Sequence, residues 1–183
     1  MDELIDILDA KGNYTGRSAL KSEAHKNGWW HPTIHVWCYT RTGKVLLQQR
    51  GKHKDSYPLK WDVSVAGHIG AGESNELGAI RETMEEIGVQ IVSEDLEKLT
   101  VFKQVKNHSN TFLDCEFCHT YLCKLDEHVP LKKQDSEVEA LQWLMIDEFK
   151  KRIASNHLDL IPNSEERFYF VLSEIESRIK KSK

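Results

Sequence analysis

Apolar residues recur along the 183-residue chain in two rhythms. The first is a short alternating or continuous run rich in branched and aromatic side chains. It occurs at 4–8, 32–40, 45–50, 61–66, 99–105, 111–124 and 139–145, and a period near two predicts strands at each. Asp9 to Asn13 reads as a turn, with a return strand starting at Tyr14. Arg41, Thr42, Gly43 and Lys44 join the strands at 32–40 and 45–50 as a hairpin. Residues 17–28 are polar and read as a connection or weak helix, while 51–59, with Pro58, and 126–135 read as loops. The second rhythm is helical. It predicts a helix ending at Gly88, a helix over 147–155 with Asp147 near its N-cap, and a last helix after Pro162, Asn163 and Ser164. That last helix places Phe168, Val171, Leu172 and Ile175 on one side. Strands on both sides of one central helix, with helices at the C-terminal end, predict an α/β (α+β) sandwich in a single domain, 1–183.

The central helix follows a glycine-rich loop, and Ser74 or Asn75 can cap it. With Glu82 at 0° and about 100° per residue, Glu85 falls near ~300° and Glu86 near ~40°. Leu77, Ile80, Met84 and Ile87 fall within roughly 140–220°. The pattern predicts an acidic face opposite an apolar, core-facing one. Gly78, on the acidic side, would leave room for a ligand, and Gly88 ends the helix as a C′ residue. Three like charges in two turns repel by about 0.2–0.5 kcal/mol per i,i+4 pair, and Arg81 offsets only part of that. A solvated acidic surface would show the same residue types. The loop in front and the spacing favour a hard divalent cation instead.

Composition narrows the setting. A net charge of −4 and a pI near 6.1 give no case for binding a nucleic-acid polymer. No apolar run approaches the ~20 residues that span a bilayer, and the acidic first residues resemble no targeting segment. A cytoplasmic protein is expected. Cys38, Cys115, Cys118 and Cys123 are then expected to be unpaired. Cys115 and Cys118 lack the second pair that a zinc site needs, and they point to opposite faces of a strand. Trp29, Trp30 and Trp37 are candidates for a homodimer interface, with buried core favoured for Trp37.

The residues that carry chemistry run from 67 to 89, GHIGAGESNELGAIRETMEEIGV. Gly67, Glu73, Arg81, Glu82, Glu85, Glu86, Gly88 and Val89 match G-x5-E-x7-R-E-U-x-E-E-x-G-U, where U is a bulky aliphatic; Thr83 alone departs. This resembles the box of the Nudix hydrolases. The resemblance implies a mixed sheet between helices with the box as loop–helix–loop. It implies Mg2+ (or Mn2+) on Glu82, Glu85 and Glu86, with a backbone carbonyl near residues 66–67. It also implies a small-molecule substrate in which a diphosphate joins a group X, cleaved by water attack at phosphorus. Glu82, Glu86 and Glu116 are the catalytic candidates, with Glu82 or Glu116 orienting or deprotonating the water. Gly67, Glu73, Arg81 and Gly88 would be structural.

A wider likeness, through WDVSVAGHIGAGES and the preceding hairpin, is to the branch related to isopentenyl diphosphate isomerase. By that resemblance His25, His31, His68, Asp114 and Glu116 form a second metal site, and Arg50 and Lys54 hold diphosphate. Core-edge histidines and a solvated basic loop are the plain alternatives. Two departures count against isomerase chemistry. Ala66 stands where the isomerases have a cysteine, and PNSEERFYFVL lacks their tryptophan. Hydrolysis is the reading, with isomerase-like activity and a non-catalytic nucleotide sensor as alternatives.

Overall fold

A computed structural model describes residues 2–155, 159–162 and 164–181. The strand β3 (His31–Tyr39) is buried at every position, because it is flanked on both edges and covered on both faces. It pairs parallel with β8 (Phe112–Lys124) on one edge and antiparallel with β6 (Val65–His68) on the other. β7 (Leu96–Ser109) continues the sheet beyond β8. β4 (Lys44–Arg50) meets β3 only at Tyr39↔Val45, then turns to β9 (Val138–Met145) and β5 (Trp61–Asp62). The hairpin expected at 32–50 therefore pairs only next to its turn. The strand expected at 61–66 also divides, into β5 and β6. Ser64 sits at both breaks: its hydroxyl donates to the Leu46 carbonyl at 2.6 Å and accepts from Cys38 N at 2.8 Å. One side chain thus bridges the backbones of β3 and β4 where they part.

β1 (Leu4–Leu8) and β2 (Tyr14–Leu20) form a separate hairpin. β2 takes in residues 17–20, so the helical part of the 17–28 segment is α1 (Lys21–Asn27), closed by Gly28 at φ +61°. β7 is longer than the strand expected at 99–105. Gln104, Lys106 and His108 turn toward a cavity, so polar residues occupy positions where an apolar alternation would have shown the strand.

α2 (Asn75–Ile87) covers one face over Ile34, Val36, Val65 and Tyr121. α3 (Ile146–Ala154) and α4 (Glu165–Lys181) cover the other. There Phe168 packs edge-on to Trp37 at 5.6 Å and lies 5.3 Å from Phe149, with Val171, Leu172 and Ile175 in the same cluster. The α4 stripe read from the sequence is the one buried. The result is an α/β/α sandwich with a mixed sheet. α3 starts after Met145 without a side-chain cap, so Asp147 lies in its first turn; Asn163 is outside the described residues. No described helix is long and apolar enough to cross a membrane.

α2 corrects the expected polarity. Leu77 and Met84 are exposed, at 57% and 53%, whereas Glu82 and Glu86 are buried, at 7% and 1%. The buried arc runs through Gly78, Ala79, Glu82, Thr83, Glu86 and Ile87. Small side chains on that arc let the helix sit close to β6. Gly78 offers no room for a ligand, because a Cβ there would press on Ile69 and the Glu73 carboxylate at 3.3 Å. Ser74, not Asn75, is the N-cap, accepting from Leu77 N at 3.2 Å. Thr83 replaces an aliphatic residue at no polar cost, because its buried hydroxyl donates to the Ala79 carbonyl at 2.6 Å. Thr83→Val is expected to change unfolding free energy by less than about 1 kcal/mol, read by urea denaturation. A larger loss would show that the hydroxyl does more than satisfy itself.

Candidate metal and diphosphate site

The loop between β6 and α2 is held by one arginine. Arg81 donates to both Glu73 oxygens at 3.0 and 2.9 Å, to the His68 carbonyl at 3.0 Å, and to Glu82 and Glu85 at 2.8 and 3.1 Å. Glu73 in turn accepts from Gly70 N at 2.9 Å. This network fixes where α2 starts relative to β6. Gly88, at φ +70°, closes the helix against Lys132, where a Cβ would meet Lys132 Cβ at 2.7 Å.

Three of the carboxylates on α2, Glu82, Glu85 and Glu86, lie at different depths. Glu85 is at the rim, with its side chain 47% exposed. Glu82 lies flat on Gly67, so close that a Cβ on Gly67 would coincide with the Glu82 carboxyl group. Glu86 is deepest; its Oε2 accepts from Gln48 Nε2 and Ala66 N, each at 2.9 Å. Burial raises the Glu82 pKa to about 7, although Arg81 opposes it. Burial, then the Glu82 charge, raises that of Glu86 to about 8. Two buried carboxylates that resist ionisation beside one another fit a divalent cation, whose charge would reverse both effects.

A second cluster stands on the same cavity. Ligand atoms of His25, His31 and His68 lie within 4.8 Å of one another, and so do those of His31, Asp114 and Glu116. His31 joins the two sets. Its Nδ1 is 2.9 Å from the Trp29 carbonyl, which fixes the proton on Nδ1 and leaves Nε2 as an acceptor. That Nε2 is buried and has no hydrogen-bond partner among the described residues. His25 Nε2 lies 3.3 Å from His68 Nε2 and 3.1 Å from Asp114. Burial, then His31, lowers His25 to about 4, and burial drives His68 well below its ordinary value. Burial, then Glu116, raises Asp114 to about 7. Imidazoles kept from protonation, as burial does for His25 and His68, suit a metal-binding cluster, and the His31 Nε2 position is open to a ligand bond.

The cavity is also lined by Arg50 and Lys54, the two cations assigned to diphosphate. Each already has a protein partner. Arg50 donates to the Ser56 carbonyl and hydroxyl at 3.0 and 2.9 Å, shaping the loop over the cavity, and Lys54 pairs with Glu137. Arg50 keeps its third nitrogen 3.7 Å from Asp62. In that loop Tyr57 and Leu59 take positive φ, 48° and 60°, a cost that the packing around them must offset.

A family model described as the NUDIX domain matches residues 29–164, which include β3, the box and the acidic strand β8. The chain belongs to the Nudix family. Membership implies hydrolysis of pyrophosphate-containing substrates, and with it a Nudix pyrophosphohydrolase. Nudix hydrolase 3 of Arabidopsis thaliana is 35% identical over 166 residues, covering 88% of this chain; the chain spans 22% of that protein's length. An isopentenyl-diphosphate Delta-isomerase of Serratia proteamaculans is 31% identical over 147 residues, covering 80% of this chain and 78% of that protein. A solved Deinococcus radiodurans structure aligns with a TM-score of 0.69 at 19% identity, over 91% of this chain and 98% of that one, and shares the fold.

In this Nudix chain His25, Arg50, Lys54, Gly67, His68, Glu82, Glu85, Asp114 and Glu116 line one cavity, with His31 and Glu86 just behind it; Glu73 and Arg81 lie beside it on the loop, and Gly88 lies away from it against Lys132. The structure adds several that the sequence did not flag. Gln48 anchors Glu86, and His108 contacts Asp114 at 2.8 Å. Gln104 bonds Glu116 through its amide nitrogen, since its oxygen accepts from Arg167 at 3.2 Å. The polar alternation at 104, 106 and 108 carried a signal for two of these, Gln104 and His108; nothing in α4 marked Arg167. The tryptophans are engaged within the chain. Trp37 is core, Trp29 lies under Arg17 at 3.7 Å, and Trp30 packs on Phe117 at 5.1 Å. All four cysteines are buried and free.

Proposed function

We propose that this protein is a Mg2+- or Mn2+-dependent hydrolase of small molecules in which a diphosphate is joined to a group X. The observation that carries the reading is Glu82 and Glu86, buried against the backbone of residues 66–67 at a cavity that Arg50 and Lys54 also line. Glu82, Glu85 and Glu86 would hold the cation. When bound, it supplies charge to offset the diphosphate and lowers the pKa of water. Arg50, through its remaining nitrogen, and Lys54 would take phosphate oxygens from the other side. Glu82 or Glu116 would orient or deprotonate the attacking water. Water adds across the P–O–P bond by in-line attack, one phosphoryl group keeping the water oxygen and the other leaving with the bridging oxygen. Glu73 and Arg81 keep the loop and helix in register. We take the 183 residues as one domain of a cytoplasmic protein; analytical ultracentrifugation decides between a monomer and a homodimer.

His25, His31, His68, Asp114 and Glu116 would hold a second cation. Replacing His31 by Gln is expected to weaken that site by at least about tenfold while leaving the box site loaded. Titration calorimetry with Mn2+ reads this as loss of one of two binding events. Two unchanged events would remove the second site from the account.

Isomerase chemistry needs a group to exchange a proton at carbon, and the Ala66 methyl at the cavity offers none. Incubation with isopentenyl diphosphate separates the readings by product. Dimethylallyl diphosphate without phosphate release would establish the isomerase; tight nucleotide binding with no product from any diphosphate would establish the sensor.

A further inference from the structure

The diphosphatase reading leaves X unnamed, and the far wall of the cavity bears on it. α2 and β6 form one wall. β7 lies three strand spacings away in the order β6-β3-β8-β7, or about 14 Å along the sheet. From β7, Lys106 lines the cavity. Its ammonium makes no ion pair or hydrogen bond among the described residues; the Tyr57 ring lies 5.7 Å away. Burial and then Arg167 lower its pKa, which Asp62, Glu116 and Asp114 oppose without pairing to it, and a bound anion would oppose the lowering further. His35, on β3, is 7% exposed and lines the same cavity, and its buried Nδ1 has no hydrogen-bond partner among the described residues. Behind them Arg167 reaches up from α4. It holds the Gln104 oxygen at 3.2 Å and stands 3.9 Å from Asp62, and its own Nε is buried and unpartnered.

An alkyl X against this wall would shut Lys106 and His35 away from water with nothing to bond, the costly case for a buried polar group. An acidic X would receive a charge-assisted bond from Lys106 and a neutral one from the His35 Nδ1–H tautomer. We infer that this wall is a second anion subsite, and that X carries its own acidic group, a carboxylate or a phosphate, bound by Lys106 and His35. Isoprenoid diphosphates, which have a hydrocarbon X, are then poor substrates despite the relatives that bear the isomerase name.

Matched pairs test this and separate the two sources of the anion. UDP-glucuronate against UDP-glucose replaces a hydroxymethyl group by a carboxylate; coenzyme A against dephospho-coenzyme A adds only a phosphate. Hydrolysis with Mg2+, and binding by calorimetry, are measured for both pairs and for isopentenyl diphosphate. Wild type is expected to favour the acidic member of one pair by about 10- to 100-fold. Lys106→Met should erase that preference while changing the non-acidic member less than about threefold, and Lys106→Arg should restore most of it. Equal treatment of both members in both pairs overturns the inference, as does a Lys106→Met loss shared equally by acidic and non-acidic members. If nothing is hydrolysed but acidic members bind more tightly and Lys106→Met loses the difference, the subsite stands and the hydrolase reading falls. Hydrolysis without discrimination gives the reverse.

Discussion

Glu86→Gln is expected to lower metal-dependent hydrolysis by about 10³-fold without unfolding the protein. Glu86 is less exposed than Glu82, and burial opposes its charge. An amide of the same shape still offers an oxygen to Gln48 Nε2 or Ala66 N, so the local packing survives. The amide cannot supply the negative charge that offsets a divalent cation. Steady-state rates at saturating Mg2+, with a melting curve beside them, check both halves. Retention of most activity would remove Glu86 from the centre; a collapsed melting curve would show that its role is structural. Because Gln preserves the site's shape but not its charge, the variant also separates metal binding from diphosphate positioning by Arg50 and Lys54.

Gly67→Ala is expected to cost about 10²-fold in activity through geometry alone. Gly67 has no positive φ, so its backbone suits any residue. The obstacle is the Glu82 carboxyl group, which occupies the place of the missing Cβ. Alanine must displace Glu82 from the backbone, and overpacking of this kind also costs roughly 1–3 kcal/mol of stability. A double-mutant cycle isolates the cause. With Glu82→Ala already present, Gly67→Ala should add almost no further instability. An unchanged penalty in that background would point to the backbone of β6 instead.

The sequence carried the strands with period two, the α4 stripe and the loop–helix spacing, because each depends on nearby residues only. It misplaced the burial of α2. Leu77 and Met84 formed the apolar arc by count, yet the helix turns Glu82 and Glu86 inward because Arg81, Gln48 and Ala66 N, from three separate places in the chain, satisfy them. The same reason hid the far cavity wall. Lys106, His35 and Arg167 meet only after β3, β7 and α4 assemble, and no spacing links positions 35, 106 and 167. The division of 61–66 was equally non-local, resting on Ser64 bridging β3 and β4. The histidines were legible through family likeness, and the buried His31 Nε2, without a partner among the described residues, supports the proposed second site.

The central claim is diphosphate hydrolysis by a metal held on Glu82, Glu85 and Glu86. Its most direct test is phosphate release across a library of organic diphosphates, using protein stripped with chelator and then reloaded with Mg2+ or Mn2+, in wild type and Glu86→Gln. Wild type is expected to cleave, to stop on stripping and to recover with metal, while the variant stays inactive throughout. Equal turnover in stripped protein, equal turnover in the variant, or no cleavage of any diphosphate by the loaded wild type would contradict it.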